Sequence, residues 1–118
     1  MHNFLKQYYF INKFNPDHLN NLSKNIGIIY RNYSENNNIL IIKRISQFCK
    51  QSNLNVLGLM CLPPFDEDSD KYFSDLKSLN DKFSLKDLSM GMSHDYLKAL
   101  KYKASFLRIG SKIFGNRN

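Results

Sequence analysis

Two stretches decide the fold: Asp87-Leu88-Ser89-Met90-Gly91-Met92-Ser93-His94-Asp95 and, further along, Phe106-Leu107-Arg108-Ile109-Gly110-Ser111-Lys112-Ile113-Phe114-Gly115. Each has the same plan. An apolar strand ends, small residues make a turn, and a hydroxyl-bearing residue opens a helix. A parallel βα unit that holds a phosphate needs this layout. Glycine lets the backbone approach an anion closely, the helix start offers unpaired N–H groups and the positive end of a dipole, and serine can cap the helix and donate to a phosphate oxygen.

Working outward from these turns, the chain alternates strand and helix. Upstream, Asn55 to Cys61 is a short apolar run that reads as a buried parallel strand stopped by Pro63-Pro64. The Asp- and Ser-rich loop Asp66 to Asp70 supplies helix caps. Tyr72, Leu76, Leu79 and Phe83 then mark one helical face. Lys86 to Ser89 reads as the next strand. Ser93 is expected to cap the helix that follows, with Leu97 and Leu100 inward. Ala104 to Arg108 is the last strand and Ser111 to Phe114 a closing helix. Before all of these, Ile42, Ile45 and Cys49, with Ile41 and Phe48 beside them, give a helix from Asn38 to about Ser52-Asn53.

The first 36 residues carry fewer signals. Asn15-Pro16-Asp17 is a helix start followed by Leu19 and Leu22, and Gly27 to Tyr30 has strand character. The chain therefore reads as a segment 1–36 (helix plus strand) and an α/β segment 37–118. The alternation predicts a parallel sheet with right-handed crossovers.

The lettering of the two turns, with Gly58-Leu59-Met60-Cys61-Leu62-Pro63-Pro64 upstream, resembles the C-terminal half of the pyridoxal phosphate homeostasis proteins (the YggS/PROSC family, relatives of the alanine racemase barrel). The resemblance runs from about Leu40 to Arg117. It implies a partial (β/α)8 TIM-type barrel, namely its strands six to eight with their helices. The phosphate sites of such barrels often follow the last two strands. It further implies a pyridoxal 5'-phosphate site built from Ser89, Met90, Gly91, Ser93, Arg108, Gly110 and Ser111. The matching arginine of the family faces the pyridine nitrogen, where a permanent cation keeps that nitrogen unprotonated and the ring a poor electron sink.

The resemblance also implies what to miss. The family carries its aldehyde-binding lysine on the first barrel strand, and no lysine here sits in that setting. Lys86 and Lys112 lie near the turns but not at that position. Cofactor binding is thus expected to be non-covalent, or lost. The expected function is a homeostasis or carrier role without catalysis. An amino-acid racemase-class fragment would need the Schiff-base lysine and a second acid/base, and a non-functional α/β remnant is the remaining alternative. A partial barrel leaves sheet edges open, so self-association or a partner supplying the other strands is expected.

Bulk composition bounds the rest. A chain of 118 residues, 42% hydrophobic and 14% aromatic, is one globular domain at most. The net charge of +7 comes from scattered lysines rather than a basic stripe, which argues against nucleic acid. No apolar run approaches a membrane span and Met1 to Lys6 lack a signal-peptide core, so a cytoplasmic protein is expected. Cys49 and Cys61 form no metal spacing and read as buried free thiols. His94 lies in the first turn of a helix with no catalytic partners in its pattern, and reads as solvent-facing, as do His2 and His18. Met60, Met90 and Met92 read as core or pocket wall.

Overall fold

The computed structural model describes residues 7–11, 17, 26–30 and 38–117, and these fall into two units divided between Val56 and Leu57. In the first unit, β1 (Gln7–Ile11) and β2 (Ile26–Tyr30) pair in parallel, from Gln7 opposite Ile26 to Ile11 opposite Tyr30. β2 is the strand expected at Gly27 to Tyr30. β1 was not expected, although Tyr8-Tyr9-Phe10-Ile11 has the aromatic and β-branched content that suits a pleated surface. Asp17 is helical, and the rest of the helix anticipated from Asn15-Pro16 lies outside the described residues.

α1 (Asn38–Gln51) follows. Its stripe is the anticipated one, with Ile41, Ile42, Ile45, Phe48 and Cys49 half-buried. The helix ends as its sequence suggests. Ser52 N–H donates to Phe48 at 2.9 Å, and Asn53 takes a left-handed φ of 57°, a conformation asparagine tolerates better than most residues.

The second unit is a three-stranded parallel sheet in the order β3-β4-β5, with β3 at Gly58–Met60, β4 at Asp87–Met92 and β5 at Phe106–Arg108. The α/β parallel architecture is thus as expected. α2 (Ser69–Lys82) connects β3 to β4, α3 (Tyr96–Lys101) connects β4 to β5, and α4 (Ser111–Phe114) follows β5. β3 is shorter than the apolar run that announced it. At its start a Cβ on Gly58 would lie 1.6 Å from the Asp87 carbonyl oxygen, so the two strands meet there at a distance only glycine allows.

β4 runs three residues beyond its anticipated end at Ser89, and the register against β5 shifts between Ser89 and Met92. Such a bulge bends a strand and re-aims the side chains beyond it. Gly91 sits inside it at φ 104°. A Cβ there would meet Ala99 Cβ at 2.8 Å, a Leu107 methyl at 3.0 Å and Tyr96 Cα at 3.2 Å.

The core gathers where β4 faces α2 and α3. Phe73, Leu88, Met90 and Ala99 are buried, with Cys61, Leu76, Tyr102, Ala104 and Leu107 packed around them. Two helix faces differ from expectation. On α2 the fully covered residues are Phe73 and Asn80, while Tyr72, Leu76, Leu79 and Phe83 are only half-buried. An apolar count passes over Asn80. Its buried amide instead accepts from Leu59 N–H and donates to the Leu85 carbonyl, both at 3.1 Å, so it ties the end of α2 to β3 and to the loop before β4.

On α3, Leu97 and Leu100 are 62% and 47% exposed, and Ala99 faces inward. The helix lies so close over Gly91 that only a methyl fits between them. Polar bridges from Lys98 to Asp68 at 2.9 Å and from Tyr102 to Asp70 at 3.3 Å join α3 to the start of α2. Asp68 also caps α2 by accepting from Asp70 N–H at 3.1 Å. Among the described residues no helix is long and apolar enough to cross a membrane.

Candidate functional site at the carboxyl ends of the strands

Arg108 is the last residue of β5, and its head reaches across the sheet. One terminal nitrogen donates to Ser89 Oγ on β4 at 2.5 Å, and the other to the Cys61 carbonyl just beyond β3 at 2.7 Å. A guanidinium is planar and donates in a fixed fork, so these two bonds set the orientation of the whole group. The Nε donor of the same group is buried and has no hydrogen-bond partner. A buried N–H without an acceptor costs about 1–3 kcal/mol, so this atom is the one in the unit most in want of a ligand acceptor.

Burial lowers the Arg108 pKa, opposed by Cys61 and Asp95, yet a guanidinium stays charged at any physiological pH. Burial likewise pushes the Cys61 thiol up to about 11, with Arg108 pulling it down and Asp95 adding to the rise. Cys61 is therefore a protonated thiol in the ordinary pH range, not a nucleophile. Cys49 is raised by burial too. Both cysteines are free and half-buried, in line with the reading as free thiols.

The β4–α3 and β5–α4 turns come together through Ser93. Its Oγ accepts from Gly110 N–H at 3.2 Å and from Lys112 N–H at 3.1 Å. Contrary to the expectation from the sequence, Ser93 does not cap α3. Asp95 holds the cap position without a side-chain cap bond, and its Oδ1 instead accepts from Met92 N–H at 2.7 Å. The strand runs three residues further than expected, which carries Ser93 past the end of the sheet and toward α4. A hydroxyl oxygen offers two acceptor sites and one donor. Here both acceptor sites are filled by N–H groups, so the Ser93 proton is free to be given to an acceptor.

Of the seven residues picked from the sequence, Arg108 and Ser89 are bonded to each other, and Ser93 is bonded to Gly110. Ser111 follows as the first residue of α4 and is exposed. A Cβ on Gly110 would meet nothing within 4 Å, so the turn has open space on that side. Met90 and Gly91 lie elsewhere in character. Met90 is fully buried in the core, and Gly91 is enclosed by α3 and Leu107.

His94 is partly exposed, with its ring 4.6 Å from that of Phe65 and its Nε2 3.4 Å from Asp95 Oδ2. Two participants were not singled out in advance. The Cys61 carbonyl is a backbone group and leaves no residue-type signal. Asp95 was legible only as part of a helix start. No cluster of His, Cys, Asp or Glu among the described residues could hold a metal.

Parallel strands whose carboxyl ends carry an arginine and two hydroxyl-lined turns define an α/β protein with its polar groups gathered at that edge, the edge at which open α/β sheets take ligands. Comparison with known proteins narrows the class. The chain is 43% identical over 74 residues, 55% of its length and 32% of the relative's, to the pyridoxal phosphate homeostasis protein of Aquifex aeolicus. It is 36% identical over 96 residues, 70% of its length and 40% of the relative's, to the protein of the same name from Schizosaccharomyces pombe. The chain spans about a third of the length of the curated relatives it matches.

Among solved structures, PipY of Synechococcus elongatus PCC7942 with PLP bound shares the fold, at a TM-score of 0.56 and 19% identity. That match covers 94% of this chain and 51% of PipY, so it extends into the first unit. No family model matches the chain. The homology anticipated from the two turns is therefore to the pyridoxal phosphate homeostasis proteins, and it is partial.

Proposed function

We propose that this chain holds pyridoxal 5'-phosphate non-covalently, as a homeostasis or carrier protein without catalysis of its own, in the cytoplasm. The observation that carries the proposal is the buried, unpartnered Nε of Arg108. The cofactor's pyridine nitrogen is an acceptor of the kind this donor lacks. The donor set around it fits the other end of the ligand as well. Ser93 has a proton to give, Gly110 leaves room for a phosphate, and Ser111 adds an exposed hydroxyl. Ser89, bonded to Arg108, keeps the guanidinium in place, and Met90 and Gly91 support the strand end from behind.

When bound, the cofactor would supply an aldehyde and an electron-withdrawing ring. Arg108 works against the second of these, because a fixed cation at the ring nitrogen opposes its protonation. The relatives named for pyridoxal phosphate homeostasis and the PLP-bound PipY support this reading.

The three strands and their helices are read as the C-terminal part of a (β/α)8 barrel, within the segment 37–118. Leu97, Ile113 and Phe114 are 62%, 67% and 85% exposed, which supports association with further strands and helices, from a second copy or another polypeptide. The test is a titration with pyridoxal 5'-phosphate followed by visible absorbance, in the protein as it stands and in Arg108→Leu. Saturable binding that Arg108→Leu abolishes is expected. No saturable spectral change in the parent protein would overturn the reading.

A further inference from the structure

Lys112 stands apart from the groups used so far. Its backbone N–H is one of the two donors on Ser93 Oγ, at 3.1 Å. Its ammonium lies 5.1 Å from the centroid of the Tyr96 ring. Tyr96 is the first residue of α3, so the Lys112 side chain bridges from the β5–α4 turn to the β4–α3 turn. The ammonium takes part in none of the ion pairs among the described residues, which run Lys77 to Asp81, His94 to Asp95, and Lys98 to Asp68 and Asp70. A ring face holds an exposed cation by only about 0.5–1 kcal/mol, so it gives the charge up readily to an anion.

The other cation of the site is held in place by the sheet. Each terminal nitrogen of Arg108 gives one hydrogen bond to protein, and its open Nε suits a neutral ring nitrogen rather than a dianion. A phosphate monoester brings about 1.5–2 negative charges at neutral pH. Asp95, the carboxylate nearest in sequence to these turns, is buried and accepts from Met92 N–H.

We propose that Lys112 is the residue that selects phosphorylated over unphosphorylated ligand, by leaving the Tyr96 ring to pair with the phosphate. This rests on the pyridoxal phosphate reading above and adds to it the source of the charge. Ser93 and Gly110 position the phosphate, and Lys112 supplies the net attraction.

The test compares pyridoxal 5'-phosphate, pyridoxal and inorganic phosphate as ligands for the parent protein, Lys112→Met and Lys112→Arg. Lys112→Met should bind pyridoxal 5'-phosphate and inorganic phosphate about tenfold or more weakly, the size of one charge-assisted contact, and pyridoxal as before. Lys112→Arg should keep the preference. Raising the ionic strength should weaken the parent more than Lys112→Met, because a screened charge is what was removed.

Unchanged affinities in Lys112→Met, or equal losses for pyridoxal and its phosphate, would overturn the inference while leaving the cofactor reading intact. Failure of the parent protein to bind pyridoxal 5'-phosphate at all would overturn both. Melting curves of the variants check that an exposed substitution has left the fold alone.

Discussion

The β4–α3 and β5–α4 turns look alike as sequence and differ as structure. Both run from an apolar strand through glycine to serine and a helix. At the first, Gly91 has a φ of 104° and is enclosed by Ala99, Leu107 and Tyr96. At the second, a side chain on Gly110 would meet nothing, and every residue of α4 is exposed. One glycine is there because helix and strand touch. The other borders open space. The same letter in the same pattern thus sits in tight packing in one turn and in open space in the other, and only the neighbours reveal which.

The largest expected effect breaks the first turn. Gly91→Ala forces a Cβ into occupied space at a positive φ. Overpacking costs about 1–3 kcal/mol and a left-handed non-glycine residue about 1–2 kcal/mol. A loss of about 2–4 kcal/mol is expected in denaturant unfolding, with Met90 and Ala99 displaced from each other. Gly110→Ala, by contrast, should unfold within about 0.5 kcal/mol of the parent, as surface changes usually do.

Next in size is Asn80→Ala. It leaves Leu59 N–H and the Leu85 carbonyl without their partner, at about 1–3 kcal/mol for each group that water cannot reach. Unfolding should show the loss while ligand affinity changes less. Equal stability would mean that water replaces the amide.

These effects also mark how far the sequence could be read. The strands and helices of the second unit were legible because glycine, proline and apolar runs punctuate them. The bulge at Gly91 was not, since nothing in Ser89-Met90-Gly91-Met92 says that the strand continues through the glycine. The sequence therefore points Ser93 to the start of α3, whereas its hydroxyl accepts from Gly110 and Lys112 at the start of α4. The covered face of α2 was misplaced because its anchor is the polar Asn80. Leu97 and Leu100 were placed inward by hydrophobicity, whereas the contact distance at Gly91 admits only Ala99. Of the candidate site, residue types were legible and partners were not. Arg108 and Ser89 were both picked, but their bond to each other and the Cys61 carbonyl beside them follow from the sheet register.

Gly110→Val should leave folding nearly intact and abolish binding of inorganic phosphate and pyridoxal 5'-phosphate, by filling the open space at the second turn. Equal affinity in parent and variant would show that the phosphate does not come there.

A smaller effect concerns pH. The Cys61 thiol is raised to about 11 by burial, from about 8.5 in an unfolded chain. The folded state thus favours the protonated form. Its contribution to stability is complete below about pH 8.5, and is lost as the pH climbs through the folded value. Melting temperature should fall over that alkaline window, and Cys61→Ser should flatten the fall. At pH 8 the native protein should also alkylate at Cys61 far more slowly than the denatured chain. The smallest expected signal is catalytic. With added pyridoxal 5'-phosphate, exchange of the α-proton of alanine into deuterated water should stay at background, and clear protein-dependent exchange would contradict a carrier role.

The most direct measurement of the central claim is the absorbance titration of pyridoxal 5'-phosphate against the parent protein and Arg108→Leu. Non-covalent binding at Arg108 predicts a saturable spectral change that borohydride does not fix covalently, present in the parent and absent in Arg108→Leu. A parent protein that shows no saturable change, or a variant that binds as tightly as the parent, would contradict it.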